Sequence, residues 1–336
     1  MAFLAVVMSA IFLAACGAEP TFTAETAATE PTAQPSVAPT PTPKPYEDFS
    51  SAAVPPADPE RLAKFTRLLS LVPLSYGSAV YLDMEFLRSN VSLANSISLE
   101  VLGLDLALPS IATGLVNAVA VAGDVETRSL VTSFESDSTI VAMLQVGSSF
   151  GLQLNEGSPQ TYEGHNIWDI DALGVVLALA AADETTGLAA LGQDAIGLAE
   201  ASLDAFDGRS ARLLDAPGLA SLVGDVPSGF AVVVLSQCER LPLFTDVQAL
   251  PGCTGAVVTA GMLSSNLVVL HALIGFADED QARSALERVT EALAGQNRTH
   301  GFEDLGVRQE GENVRVTVIA DVSKFTHVFR LFAPSR

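Results

Sequence analysis

Residues 17–57 limit what this chain can fold into, because they are rich in Pro, Thr and Ala and contain few large apolar side chains. Such a segment buries too little surface to offset the entropy of ordering its backbone, and its prolines favour extended polyproline II structure. At about 3.1 Å per residue, a stalk of this length reaches on the order of 100 Å. We therefore expect the folded body to begin near Asp58.

An uncharged apolar run, residues 2–15, precedes the stalk and leads directly into Cys16. The run is shorter than the about 20 residues that a membrane-spanning helix needs, and it has the length of the apolar region of a signal peptide. The sequence Leu-Ala-Ala-Cys at Leu13–Cys16 resembles the lipobox of bacterial lipoproteins.

This resemblance implies that residues 1–15 are a signal peptide and that the thiol of Cys16 carries diacylglycerol after cleavage. Residues 16–57 then form a lipidated cysteine followed by a disordered linker. We expect a protein that is anchored in the cell membrane by lipid and faces outside the cytoplasm. The alternative is an ordinary buried N-terminal helix that contains an incidental cysteine.

The charge of the chain excludes several classes of partner. The 336 residues carry a formal net charge of −22. Such a field repels phosphate backbones and anionic lipid headgroups, so we expect no nucleic-acid partner and no basic membrane-binding patch. Apolar residues make up 49% of the chain but aromatic residues only 6%, so the core is expected to consist mainly of Ala, Val and Leu.

Local patterns in the body predict two helices with defined ends. Asp58 and Pro59 suit the N-cap and the first position of a helix that ends before Pro73. Residues 278–294 form the clearest amphipathic pattern, with acidic residues at the start and Gly295 as the expected C-cap.

The clearest strand covers residues 313–320, where three valines at even positions alternate with Arg315 and Thr317. Alternation with a period of two is typical of an antiparallel strand with one buried face. We therefore expect the face that carries Arg315 and Thr317 to be solvated.

The body also shows weak internal similarity. Residues 70–84 and 221–235 each pass from a helix end through Pro and Gly into a Val-rich strand, and further strands are expected after each, including one at 138–147. The pattern predicts an α+β fold built from a duplicated unit, at 58–207 and 208–336. Each unit is expected to be mainly antiparallel sheet with helices packed on one face.

Residues 162–233 are similar to an uncharacterised domain family of bacterial exported and membrane proteins. The family pattern is Tyr-x-Gly-x-x-Ile, a strand, a short turn and a second strand that ends at a helix of small residues. The resemblance implies a repeated α+β body outside the cytoplasm and implies no activity. The matching residues are Tyr162, Gly164, Ile167, Leu213, Pro217 and Leu222.

Cys238 and Cys253 are expected to form a disulfide, because two cysteines remain in an exported chain once Cys16 is lipidated. The segment between them contains Pro and Gly and can double back. A metal site would need more ligands, and the histidines form no pair at ligand spacing, so we expect no metal and no cofactor. These histidines are His165, His271, His300 and His327.

Residues 147–151 match the G-x-S-x-G nucleophile elbow of hydrolases, with Ser149 at its centre. The elbow needs a helix immediately afterwards, and the following residues, broken by Gly157 and Pro159, predict a poor helix. A Gly-Ser hairpin or loop is therefore the favoured interpretation.

A second cluster joins His165 and Trp168 with Asp169 and Asp171. It is interpreted either as a ligand contact or as a strand with one aromatic side chain packed inward, and burial preferences favour the strand.

Three function classes follow from the sequence. The leading class is a non-enzymatic, membrane-anchored lipoprotein whose body serves as a binding or assembly platform for an unknown protein or small molecule. The alternatives are a solute-binding lipoprotein of a transporter, and a serine hydrolase that uses Ser149.

Overall fold

The computed structural model describes residues 58–90, 93, 116–124, 127, 129–136, 141, 159–172, 175–225, 229–238 and 250–331. The expected signal peptide, Cys16, the stalk and Ser149 lie outside these ranges. None of the helices within the ranges is both long enough and apolar enough to cross a membrane. The α-helices with described bounds are α1 (Pro59–Leu69), α2 (Met84–Ser89), α3 (Ala195–Phe206), α4 (Pro217–Ala220), α5 (Glu279–His300) and α6 (Phe325–Arg330).

Within the described ranges, twelve strands form one sheet in which every neighbouring pair is antiparallel. The strands are β1 (Ser78–Asp83), β2 (Val116–Asp124), β3 (Ser129–Ser136), β4 (Gln160–Tyr162), β5 (His165–Ala172), β6 (Val175–Ala181), β7 (Thr186–Leu191), β8 (Ala231–Leu235), β9 (Cys253–Met262), β10 (Leu267–Phe276), β11 (Asp304–Glu310) and β12 (Asn313–Asp321). Their order across the sheet is β11-β12-β10-β9-β8-β1-β2-β3-β7-β6-β5-β4. β1 and β8 therefore lie side by side in the middle of the sheet.

Helix α1 begins where the stalk is expected to end. The carboxylate of Asp58 accepts hydrogen bonds from two backbone N–H groups of the first turn, at 3.0 and 3.4 Å. Pro59 occupies the first helical position, where its missing N–H would have no partner in any case. Phe65 and Leu69, four residues apart, are buried against the sheet. The predicted start of this helix is confirmed.

Strand β1 is buried along its whole length, which agrees with the unbroken run of apolar and aromatic residues at 79–82 between Ser78 and Asp83. Val80 and Leu82 point to one face of the sheet, and Ala79 and Tyr81 point to the other. The ring of Tyr81 meets the ring of Phe65 on α1 edge-on, with centroids 5.6 Å apart. A central strand of this kind requires cover on both sides.

Helices supply that cover on both faces. The apolar side chains of α1, α3 and α4 pack on the face that carries Tyr81, and those of α2, α5 and α6 pack on the opposite face. The predicted antiparallel α+β fold is confirmed. The position of the helices differs from the expectation of one helical face, because the central strands β1 and β8 carry apolar side chains on both faces and each face needs cover.

The division of the body into units 58–207 and 208–336 stays a prediction. The sheet continues without a break across this division, since β1 from the first range pairs with β8 from the second. The other strands of the first range, β2 to β7, lie on the β1 side of this pair, and those of the second range, β9 to β12, lie on the β8 side.

Two local predictions differ from the structure. Val141 is helical, whereas residues 138–147 were expected to form a strand; the other residues of that segment lie outside the described ranges. The second strand of the first half is β3 instead. Helix α5 continues through Gly295 to His300 and is capped by Gly301, which adopts a left-handed conformation with φ of 64°. Gly weakens a helix interior by only about 1 kcal/mol, so it does not by itself end one.

Candidate functional site

A polar cleft of about 480 Å³ lies between α1 and one end of the sheet. We call it the α1 cleft. Its volume lies within the range of about 300–1,000 Å³ that is typical of small-molecule sites. One wall comes from α1, and the other comes from β2, β3 and the turn between β6 and β7. The lining residues are Ala63, Lys64, Arg67, Asn117, Glu135, Ser136 and Thr185.

Lys64 connects the two walls electrostatically. Its ammonium nitrogen lies 3.5 Å from a carboxylate oxygen of Glu135 on β3 and 3.5 Å from one of Glu85 on α2. Burial lowers the pKa of Lys64, but the charges of Glu135 and Glu85 outweigh burial, so the pKa lies above its usual value of 10.5. The side chain is therefore a fixed positive charge at neutral pH.

Glu135 is the acidic group of the cleft wall, and its side chain is only 12% exposed. It contacts Lys64 through Oε1. An ionised carboxylate has two oxygens and about four lone-pair positions, so this single long contact leaves capacity for further donors. A partly buried carboxylate attracts such donors more strongly than an exposed one, because the surrounding dielectric is low.

Arg67 lies on α1, one turn after Lys64. Its Nε is 3.6 Å from Oδ2 of Asp183, and its Nη1 donates to the hydroxyl of Thr185 at 3.1 Å. Burial raises the pKa of Asp183, but hydrogen bonds from Thr185 and Thr186 and the charge of Arg67 outweigh it, so the pKa lies below its usual value. Asp183 is thus a stable anion that orients the guanidinium at the rim of the cleft.

His165, singled out by the sequence, lies at the start of β5 and bonds away from the cleft. Its Nε2 is 3.0 Å from Oδ2 of Asp207, just after α3, and its Nδ1 is 3.1 Å from the carbonyl oxygen of Ala181. Both partners are hydrogen-bond acceptors. The contact joins the edge of the sheet to the C-terminal end of α3.

A second set of contacts strengthens the same junction. The hydroxyl of Tyr162 donates to Asp204 at 2.9 Å, and Arg209 donates to Asp204 and to Asp207, at 2.7 Å each. The hydrogen bond from Arg209 is the largest cause that lowers the pKa of Asp204. The junction is therefore a structural ion-pair network.

The predicted cluster of His165 with Trp168 does not form one site. Trp168 is buried with Ile170 on the face opposite to the one that holds Ile167, and the pleat of β5 aligns His165 with Ile167. Asp169 is exposed, and the side chain of Asp171 lies outside the described residues. This agrees with the interpretation of a strand with one aromatic packed inward.

His271 is buried in the middle of β10. Its Nδ1 is 3.1 Å from the hydroxyl of Thr317 on β12, and its Nε2 is buried without a hydrogen-bond partner. Burial, followed by the charges of Arg315 and Arg308, lowers its pKa to about 4. Thr317 is only 5% exposed, so the solvated face expected for β12 is wrong at this position.

Cys238 and Cys253 form a disulfide, with Cα atoms 6.0 Å apart. It links the residues after β8 to the first residue of β9, two strands that are neighbours in the sheet. The bridge therefore closes the connection between adjacent strands. Within the part of the chain that the structure describes, no group of three His, Cys, Asp or Glu side chains could hold a metal ion.

The sequence does not predict the α1 cleft. The sequence does indicate the helical wall. Lys64 and Arg67 are three residues apart on α1, so they share a face of the helix, and this face is not the one that carries the buried residues. No local pattern connects them to Glu135, which belongs to β3, a strand that is not predicted from the sequence.

No protein-family model matches the chain, and no curated protein matches it. Three solved structures of the protein TP0453, in crystal forms I, IV and III, are similar to it, with TM-scores of 0.45, 0.43 and 0.45. The sequence identities are 8%, 8% and 9%, over 78% of this chain and 96%, 96% and 97% of the respective TP0453 chains. A likeness at this level carries no information about activity or ligand.

Proposed function

We propose that this chain is a membrane-anchored, extracytoplasmic lipoprotein whose folded body binds a small polar ligand in the α1 cleft without transforming it. The observation that carries the proposal is the cleft, which offers a small-molecule volume with ionised side chains on both walls. In most ligand sites, a small number of polar groups that converge on a concave surface determines which ligand binds.

The anchor is supported by the lipobox at Leu13–Cys16 and by the stalk that follows it. Helix α1 is the first described element after the stalk. The ligand site is thus built on the element closest in sequence to the tether, while the stalk gives the body a long reach from the membrane.

Binding is favoured over catalysis by the chemistry of the cleft. Lys64 has a raised pKa, so it stays protonated and is a poor general base at neutral pH. Among the histidines whose side chains are described, His165 bonds to Asp207, His271 is buried beside Thr317, and His327 is exposed on α6. A general base must reach the proton that it removes, and none of these three imidazoles lines the cleft. Ser149, the candidate nucleophile of the alternative hydrolase function, lies outside the described residues, so this alternative stays a prediction.

A small ligand is favoured over a large protein partner by the described surface. Protein-binding surfaces usually have large apolar or aromatic side chains at their centre. In the described ranges, the large apolar side chains classed as exposed are Leu74 and Leu263. An assembly platform would need more apolar surface than these two residues supply.

The anchor is tested by metabolic labelling with a fatty-acid analogue. We expect the wild-type protein to be labelled and to fractionate with membranes, and the Cys16→Ser variant to lose both properties because it lacks the thiol. Unchanged labelling of the variant refutes the anchor.

Ligand binding is tested by native mass spectrometry of the full-length protein, released from membranes of its native host in mild detergent. We expect a small molecule to be retained by the wild type and lost from the Glu135→Gln variant. The Arg283→Gln variant is the control, because Arg283 forms a surface ion pair with Asp280 on α5 and does not line the cleft. Equal retention by all three proteins contradicts the cleft as the site.

A further inference from the structure

We infer that the α1 cleft takes a zwitterion, a small molecule with one ammonium and one carboxylate group, as in a free amino acid or a short peptide. The inference rests on the proposed function, since it names the ligand class for the same site. It follows from the cations on the helical wall, the partly buried acid on the sheet wall and the net charge of their ion pairs.

The helical wall provides the site for the ligand carboxylate. Lys64 and Arg67 are three residues apart on α1, so their side chains leave the helix as neighbours. The guanidinium of Arg67 has five N–H donors, and its contacts with Asp183 and Thr185 involve only Nε and Nη1. The side chain is 47% exposed, so it is accessible from the cleft. A planar guanidinium binds a carboxylate through two parallel hydrogen bonds.

The sheet wall provides the site for the ligand ammonium. Glu135 is 12% exposed and lines the cleft, yet its described ion pair is a single contact of 3.5 Å with Lys64. A carboxylate at this depth is stabilised by several close donors, and an ammonium group supplies three. Ser136 and Asn117, beside Glu135, complete the polar lining of this wall.

The charge balance of the cleft selects against a ligand with a net negative charge. The lining cations are Lys64 and Arg67, and their carboxylate partners are Glu85, Glu135 and Asp183. Two cations and three carboxylates carry a net charge of −1, inside a chain of net charge −22 whose field repels free phosphates and dicarboxylates. A zwitterion has no net charge and pairs with both walls.

The size of the site agrees with this class. A cleft of about 480 Å³ lies in the lower part of the range for small-molecule sites, which extends to about 1,000 Å³. This volume suits an amino acid or a peptide of a few residues.

The inference is tested by thermal unfolding of the full-length protein in detergent, with four ligand pools. The first pool contains the twenty free amino acids and the second contains Ala-X dipeptides. The third and fourth are the same molecules with acetylated amino groups or with amidated carboxylates. We expect a saturable rise in Tm with the first or the second pool, which distinguishes a free amino acid from a peptide, and no rise with the blocked pools. An equal response to a blocked pool overturns the inference.

Substitutions on each wall test whether the rise in Tm comes from binding in the α1 cleft. Glu135→Gln and Arg67→Gln should each weaken binding of the best zwitterion about tenfold or more, because each removes a charge-assisted contact. Arg283→Gln should bind as the wild type does. Affinities within about twofold of wild type in both cleft variants overturn the inference, even if a zwitterion binds elsewhere.

Failure of the ligand class differs from failure of the proposed function. If no pool raises Tm but native mass spectrometry finds another molecule that is lost in Glu135→Gln, the ligand class is wrong and the binding function stands. If no pool acts and no molecule is retained, both proposals are wrong.

Discussion

Acid should destabilise this protein through His271 well before its carboxylates are protonated. The side chain is 1% exposed, and its Nε2 is buried without a partner. A proton on this imidazole would add a charge to a dry site that already faces Arg315 and Arg308, while Glu310 is engaged by both arginines. The folded protein therefore holds His271 neutral.

The size of the acid destabilisation follows from the difference in the pKa of His271 between the folded and the unfolded protein. Burial and the two arginines lower it from the ordinary 6.5 to about 4 in the folded protein. Between these values the unfolded chain binds a proton that the folded chain does not, so stability is full above pH 6.5 and falls as the pH approaches 4. The complete loss is about 3 kcal/mol, of which about 2 kcal/mol is lost by pH 5.

Urea unfolding at pH 7.5 and pH 5.0, followed by the fluorescence of Trp168, measures this effect. Trp168 is the only tryptophan of the chain and is buried, so its emission reports the folded state. The His271→Gln variant keeps a polar side chain beside Thr317 but does not titrate. We expect the wild type to lose about 2 kcal/mol more than this variant between the two pH values.

A matched control separates titration from packing. Thr317→Val removes the hydroxyl that lies 3.1 Å from Nδ1 but keeps the imidazole, so it should retain the wild-type pH dependence at a lower overall stability. Equal pH dependence in the wild type and in His271→Gln would refute the reasoning, because the carboxylates common to both proteins would then account for the whole effect.

Three further predictions concern stability. Asp58→Ala removes the N-cap of α1 and should cost about 1 kcal/mol in urea unfolding, whereas an unchanged midpoint would mean that the helix start contributes nothing. Replacing both Cys238 and Cys253 by Ser opens a bridge across 15 residues and should cost about 3 kcal/mol on the chain-entropy model; free thiols in the denatured, unreduced wild type would contradict the bridge. Gly218→Ala brings a methyl group against the backbone carbonyl of Thr254 and should cost about 1–3 kcal/mol, and a variant as stable as the wild type would show that α4 can shift away from β9.

The sequence by itself determined the elements whose signals are local. The Asp58–Pro59 pair defined the start of α1, because N-capping and the backbone of proline act within one turn. The acidic start of α5 and its stripe of Ala282, Val289 and their neighbours predicted a helix, since a period of 3.6 residues is visible in the sequence. The disulfide followed from the number of cysteines.

Weaker local patterns did not predict the end of α5 or the presence of β3. Gly295 was expected to end α5, yet the helix ends at Gly301, where the backbone is left-handed and its N–H donates to the carbonyl of Asn297 at 2.8 Å. Strand β3 was missed because its polar residues hide the alternation of apolar ones. One of them, Ser133, is fully buried and donates to the carbonyl of Leu68 on α1.

Only the tertiary structure decided which side chains meet. His165 reaches Asp207 across 42 positions, and His271 reaches Thr317 across 46. The α1 cleft likewise unites a helix with two strands and a distant turn. Such contacts depend on which strands pair and in which register, and a slip of one residue turns every side chain to the other face. Register is determined by many weak contacts summed over the whole sheet, so no short stretch of the sequence contains it.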